Sequence, residues 1–255
     1  MPGHSSWLTF VLESIKDNLS ENAEVIGETF IGHAHADWRT FEPIFAAFFV
    51  VILLLLLARR VRFQLEDTEK AVVPDATLTL RTFMEAFIGY FYEMAKNVMG
   101  PVRAKKYFPV IGASALFVFF SNVMALLPGF PVATSSLNVT MGCAIVVFIL
   151  FNLYGLTANG WSYVKHLLGP AWYLAPLLFV IEVVSLCVRP ITLAVRLMLN
   201  MSVDHVIVGI LLGMFPLLLP LPVMVLGCLV IVVQTLVFTM LTCIYIGLAT
   251  EHLDH

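Results

Sequence analysis

Seven polar residues follow one another at spacings of three or four along a single apolar stretch: Glu182, Ser185, Arg189, Thr192, Arg196, Asn200 and Asp204. On a helix all seven share one side. Their types are polar or ionisable. Carboxylates take up and release protons, amides and hydroxyls pass hydrogen bonds on, and a guanidinium stays charged throughout. The surroundings, from about Trp172 to Met214, are rich in Leu, Val and Ile. Ionisable groups are costly inside a membrane, and there they normally face a bundle interior or a water-filled cavity and mark a transport path. A structural alternative pairs Arg189 and Arg196 with Glu182 and Asp204, or lets them reach an interface. For Arg189, close to Glu182 and next to Pro190, the two readings stand level. Arg196 is harder to satisfy locally, because the acids of its own stripe lie at least two turns away, beyond i, i+4 reach. Its partner is expected on another helix or another subunit.

The solvent is set by composition. Hydrophobic residues make up 60% of the 255 and charged residues 12%, against roughly 45–50% and about 25% in soluble domains. This is a multispanning membrane protein, for which nothing suggests a nucleic-acid partner. Cys143, Cys187, Cys228 and Cys243 all sit in apolar stretches, where Cys behaves as a small hydrophobe. No disulfide, metal site or cofactor is expected. His33 and His35 lie in a polar arm with no third ligand in step, so a solvated role outweighs a metal-binding one.

Residues 1–40 read as an extracytoplasmic arm holding at most a short amphipathic helix around Trp7, Leu8, Phe10, Val11 and Leu12. They show neither the basic start nor the cleavage site of a signal peptide. A single membrane domain is expected over 41–255. Its first span runs from Phe41 to Ala58 and is stopped by Arg59, Arg60 and Arg62. Leu78 to Met99 alternates at helical spacing with Arg81, Glu85, Glu93 and Lys96 spread through it, which predicts an interfacial amphipathic helix. Arg103, Lys105 and Lys106 precede a second span, Phe108 to Leu127, ended by Pro128-Gly129. After a polar loop, Ala133 to Asn138, a third span covers Val139 to Leu156. Thr157 to Pro170 is a surface segment whose His166 is expected to be solvated. The long polar-striped stretch follows, and a last apolar run covers Val223 to Thr250.

Nine of the fourteen Lys and Arg lie between Arg59 and Lys106. Positive residues favour the cytoplasmic side, so five spans would run from an outer N-terminus to a cytoplasmic C-terminus. Forty-three residues from Trp172 to Met214 would make a helix of about 64 Å, twice the ~30 Å hydrocarbon core. Pro190 could mark a hairpin turn there. The stripe keeps its phase through Pro190, which favours one long, bent, inclined helix. The last run is also expected to tilt.

Several of these residues carry a resemblance. Glu182, the run Arg189-Pro190-Ile191-Thr192-Leu193-Ala194-Val195-Arg196-Leu197, Asn200-Met201 and His205 resemble the signature segment of subunit a of F-type rotary ATP synthases. Asn122 with Leu126-Leu127-Pro128-Gly129-Phe130, and Leu137-Asn138-Val139-Thr140, are similar to the family's second and third spans. Gln234-Thr235-Leu236-Val237-Phe238 and Thr242-Cys243-Ile244-Tyr245 are similar to its final helix. The likeness covers about 40–252. Two departures stand out. Asp204 occupies a position that is usually Gly in the family, and Gly227 one that is commonly His or acidic. The polar group has changed helices, and the expectation is that the Asp204 carboxylate fills the space left at Gly227.

The resemblance implies an all-α stator subunit in a bacterial inner membrane, with no catalytic site of its own. Its partners would be the c-ring subunits, the peripheral stalk subunit b, the lipid bilayer and translocated protons. It makes Arg196 the essential residue between two half-channels, since a fixed guanidinium favours the ionised form of a ring carboxylate within ~4–6 Å. Glu182 and Ser185 would line the inner half-channel, supported by Arg189. Asn200, Asp204 and His205 would line the outer one, with Gln234 and Tyr245 from the last helix. His205 is open to a structural reading as well as to a relay, which its titration range suits. Asn200 and Gln234 could simply bind each other. A secondary transporter would need inverted repeats or broken-helix pairs, neither of which is visible. An intramembrane enzyme would need a nucleophile and a base, and Ser185 has no His in step.

Overall fold

The protein is described by a computed structural model over residues 28–29, 32–33, 42–64, 79–126, 133–160, 175–214 and 220–250. A two-rung antiparallel pairing joins β1 (Glu28–Thr29) to β2 (Gly32–His33). The rest is helical. The order is α1 (Glu42–Gln64), α2 (Leu80–Met99), α3 (Pro101–Ala125), a 3-10 turn (Ala133–Ser135), α4 (Leu137–Asn159), α5 (Ala175–Met214) and α6 (Pro220–Ala249). The segment expected around Trp7 to Leu12, His35, and Lys165 with His166 fall outside the described residues.

Four helices, α1, α3, α4 and α6, are long and apolar enough to cross a membrane. Besides these four, α5 is an unbroken 40-residue helix through Pro190. A hairpin at Pro190 is therefore ruled out. At 1.5 Å per residue α5 is about 60 Å long and α6 about 45 Å, so both exceed the ~30 Å core unless inclined or bent. The fold is that of an all-α membrane protein.

The second spanning helix starts seven residues earlier than the apolar pattern alone suggests, at Pro101 rather than Phe108. Proline is preorganised for the first helical position and has no amide hydrogen to leave unsatisfied there. Arg103, Lys105 and Lys106 consequently sit inside α3. Just before it, Gly100 has φ +83° and ψ 161° and donates its N–H to Lys96 O at 2.9 Å. Only Gly adopts that region easily, and the reversal turns α2 back along α3. Tyr92 meets Phe108, and Phe83 and Phe87 both meet Phe119. The amphipathic α2 thus leans on the bundle by an aromatic face, with Met84, Phe91, Ala95 and Met99 buried.

The last helix, α6, packs against α3, α5, α4 and α2. Lipid tails are as apolar as Leu, so helices in a membrane hold together through close packing and polar contacts rather than through loss of water. Both devices are present. At Gly247 an added Cβ would lie 3.1 Å from Met99 Cγ, so the missing side chain makes room for α2. The buried hydroxyls of Thr235, Thr239 and Thr242 donate to the carbonyls of Ile231, Thr235 and Phe238, which satisfies them within α6.

Polar contacts define two ends of the bundle. At one, Arg103 Nη1 donates to Gly247 O at 3.4 Å and Asn159 Nδ2 to Ala249 O at 3.2 Å. This joins the start of α3 and the end of α4 to the last turn of α6. At the other end, Thr134 Oγ1 donates to Asn122 Oδ1 at 2.9 Å and Ser202 Oγ to Ser135 O at 3.2 Å. The 3-10 turn is thereby fastened between α3 and the C-terminal half of α5.

Candidate functional site

The polar stripe of α5 divides by orientation. Arg196 and Thr192 are exposed, on a face that also displays Val188, Ile191, Leu199 and Val203. Glu182, Ser185, Arg189, Asn200 and Asp204 are partly buried. The outward turn of Arg196 follows from its neighbours, since Leu193, Ala194 and Leu197 are buried and Leu193 and Leu197 pack with Val118, Val147 and Phe238. The guanidinium makes no hydrogen bond or ion pair with any described residue. A permanent charge on an apolar outer face, with no counter-charge bound to it among the described residues, is costly until it is paired.

Arg189 does not pair with Glu182. Its Cζ lies 5.3 Å from the centroid of the Tyr245 ring, within cation–π range. Tyr245 therefore belongs with Arg189, two turns of α5 from Arg196 toward the Glu182 end, and not with Asn200 and Gln234 as the outer grouping would have it. The reason is the antiparallel run of α6, which brings its last turns beside the first half of α5. Glu182 and Ser185 make no side-chain bond to a described residue.

Beyond Arg196, Asn200 Nδ2 donates to Gln234 Oε1 at 2.6 Å. The two amides do bind each other. Gln234 keeps a second amide atom, Nε2, that is buried without a partner. Among the described residues, four buried side-chain polar atoms lack a partner: Ser121 Oγ, Asn122 Nδ2, Asp204 Oδ2 and Gln234 Nε2. They come from three helices and gather round one cluster, in which Met201 and Ile231 pack with Phe119, Val123, Ala125 and Leu126. Ser121 and Asn122 lie on that stretch of α3. Asp204 is three residues on from Met201, and Gln234 three on from Ile231. Orphaned polar atoms are rare in protein interiors, and all four of these lie on or next to helix stretches that pack in this cluster. His205 lies in α5 beside Asp204, with its side chain outside the described part.

Asp204 does not touch the Cβ position of Gly227. An added Cβ there would meet Leu126 Cδ2 at 3.6 Å and no atom of Asp204 within 4 Å. Position 227 looks toward α3, whereas Asp204 departs from α5. Ser121 went unremarked in the sequence, and Asn122 figured only as part of a motif. A Ser-Asn pair interrupting the run from Phe117 to Leu127 was the available signal.

Helices of spanning length, with a fixed charge on an outer face and unpaired polar atoms in the interior, define an α-helical membrane protein. The family model for the ATP synthase A chain matches residues 43–247. An ATP synthase subunit a of Sorangium cellulosum (strain So ce56) is 59% identical over 255 residues, the whole of both chains. The ATP synthase subunit a of Geobacter sulfurreducens is 41% identical over 167 residues, 66% of this chain and 72% of that one. One from Sulfurihydrogenibium sp. (strain YO3AOP1) is 39% identical over 176 residues, 69% and 84%. The chain belongs to the ATP synthase A chain family, and with it to ATP synthesis and proton transport in a membrane.

Proposed function

We propose that the chain is the stator proton channel of a rotary ATP synthase, in which Arg196 separates two offset half-channels leading to and from the carboxylates of a c-ring. The observation that carries this reading is Arg196 itself, exposed on an apolar face and unpaired among the described residues. A ring of subunits bearing membrane carboxylates supplies the missing counter-charge. Each carboxylate that reaches the guanidinium is favoured in its ionised form and gives up its proton. Because Arg does not deprotonate, it does not hand protons across. The half-channels then communicate only through the ring.

Glu182 and Ser185 line the inner path, and Asn200, Asp204, His205 and Gln234 the outer one. Ser121 and Asn122 add a wall to the outer path from α3, supported by the cluster of orphaned atoms that they share with Asp204 and Gln234. The excess of Lys and Arg between Arg59 and Lys106 favours a cytoplasmic position for that segment. The N-terminal arm, residues 1–40, is then extracytoplasmic and the C-terminus cytoplasmic, in a bacterial inner membrane, with subunit b as a further partner. Each proton driven through contributes about 2.3 kcal/mol per 100 mV.

The test is ATP-driven proton pumping in membrane vesicles carrying Arg196→Ala or Arg196→Lys. Both are expected to abolish it. Undiminished pumping in both would overturn the reading.

A further inference from the structure

We propose that Tyr245 is a positioning residue: its ring holds Arg189 and, together with the Asn200–Gln234 bond, sets the depth and rotation of Arg196 on the outer face of α5. The inference rests on the role given to Arg196 above.

The two contacts share a register. Arg189 meets Tyr245, and eleven residues on along α5 Asn200 meets Gln234, eleven residues back along α6. They flank Arg196, one two turns before it and the other one turn after it. A helix held at two points against a neighbour can neither slide nor roll between them, so the side chain in the middle keeps one depth.

The Arg189 clamp also sits where α5 is weakest. Pro190 has no amide hydrogen, so the carbonyl of Leu186 loses its usual donor, and the ring crowds the preceding turn. A side-chain contact at the neighbouring residue restrains the helix at that break. Thr192 adds to it, donating its hydroxyl to Arg189 O at 2.9 Å. The ring itself is fixed. Tyr245 lies 6.0 Å from Phe151 and against the buried cluster of Met99, Ile111, Leu186 and Ile246. Its partner on α5 thus meets a surface already fixed by α3 and α4.

An aromatic face has a further merit over a carboxylate here. It attracts the guanidinium through its quadrupole without cancelling the charge. Arg189 stays a net cation on the Glu182 side of Arg196.

The experiment uses assembled ATP synthase in inverted membrane vesicles and compares proton pumping per ATP hydrolysed at matched amounts of complex. Tyr245→Phe keeps the ring and is expected to stay within about twofold of the parent, whereas Tyr245→Leu and Arg189→Met each fall by about fivefold or more. The double variant Arg189→Met with Tyr245→Leu should be no worse than the poorer single one, because both remove the same contact. Three results would each overturn the proposal: Tyr245→Phe as impaired as Tyr245→Leu, full pumping in Tyr245→Leu and Arg189→Met, or losses that multiply in the double variant. Should Tyr245→Leu fail to assemble, Arg189→Lys decides against Arg189→Met, the first expected to pump and the second not. Failure of the Arg196 reading would show differently, as pumping in Arg196→Ala and Arg196→Lys.

Discussion

Asn200 donates to Gln234 across the seam between α5 and α6 at 2.6 Å, and Gln234 Nε2, on the far side of the same amide, is buried with no partner. One half of the Gln234 amide is spent on holding two helices together, and the other half is left unpaired.

Removing the acceptor's donor should therefore be felt twice. Asn200→Leu leaves the whole Gln234 amide buried and unpaired, which costs about 1–3 kcal/mol. A lower unfolding temperature of the detergent-solubilised complex and weaker proton pumping are expected together. Exchanging the two residues, Asn200→Gln with Gln234→Asn, re-forms an amide pair and should recover stability before it recovers pumping, which thermal denaturation followed by a vesicle assay will resolve.

Asp204 is expected to matter through its level in the bundle. Asp204→Gly should depress proton conduction, measured as passive flux through membranes stripped of the soluble sector, and Ser121→Ala should lower it less. Adding Gly227→His to Asp204→Gly should restore flux. An added Cβ at 227 meets Leu126 at 3.6 Å, an ordinary contact. No recovery in the double variant would show that a group on α6 cannot replace the one at 204.

Gly100→Ala tests the turn between α2 and α3. A Cβ there meets nothing within 4 Å, but φ is +83°, so the penalty is one of backbone strain alone, about 1–3 kcal/mol. Less assembled complex on a native gel, with unchanged pumping per complex, is the expected result.

The stripe from Glu182 to Asp204 was legible because helical periodicity places residues without knowledge of neighbours, and because charges stand out in an apolar run. The continuity of α5 through Pro190 was legible for the same reason. What remained hidden depends on which helix faces which. Tyr245 was readable as a polar-tipped aromatic near the chain's end, but its meeting with Arg189 is set by the register of α6 on α5. Gly227 looked like the complement of Asp204 because both are departures from one pattern, yet the direction of a Cβ on a packed helix is a tertiary fact. The early start of α3 was masked by its cations, which hydropathy treats as outside a span although Arg103 has a carbonyl of α6 to bind.

The fastening of α6 by Arg103 and Asn159 has a mechanical reading. In the function proposed above, a stator helix beside the turning ring is pushed sideways at every step, and a rod anchored at its end deflects less under such a load than a free one. Two side chains outside the conducting groups, each holding a last-turn carbonyl of α6, anchor that end to α3 and α4. Stiffness against drag is thus borne by residues that need never touch a proton.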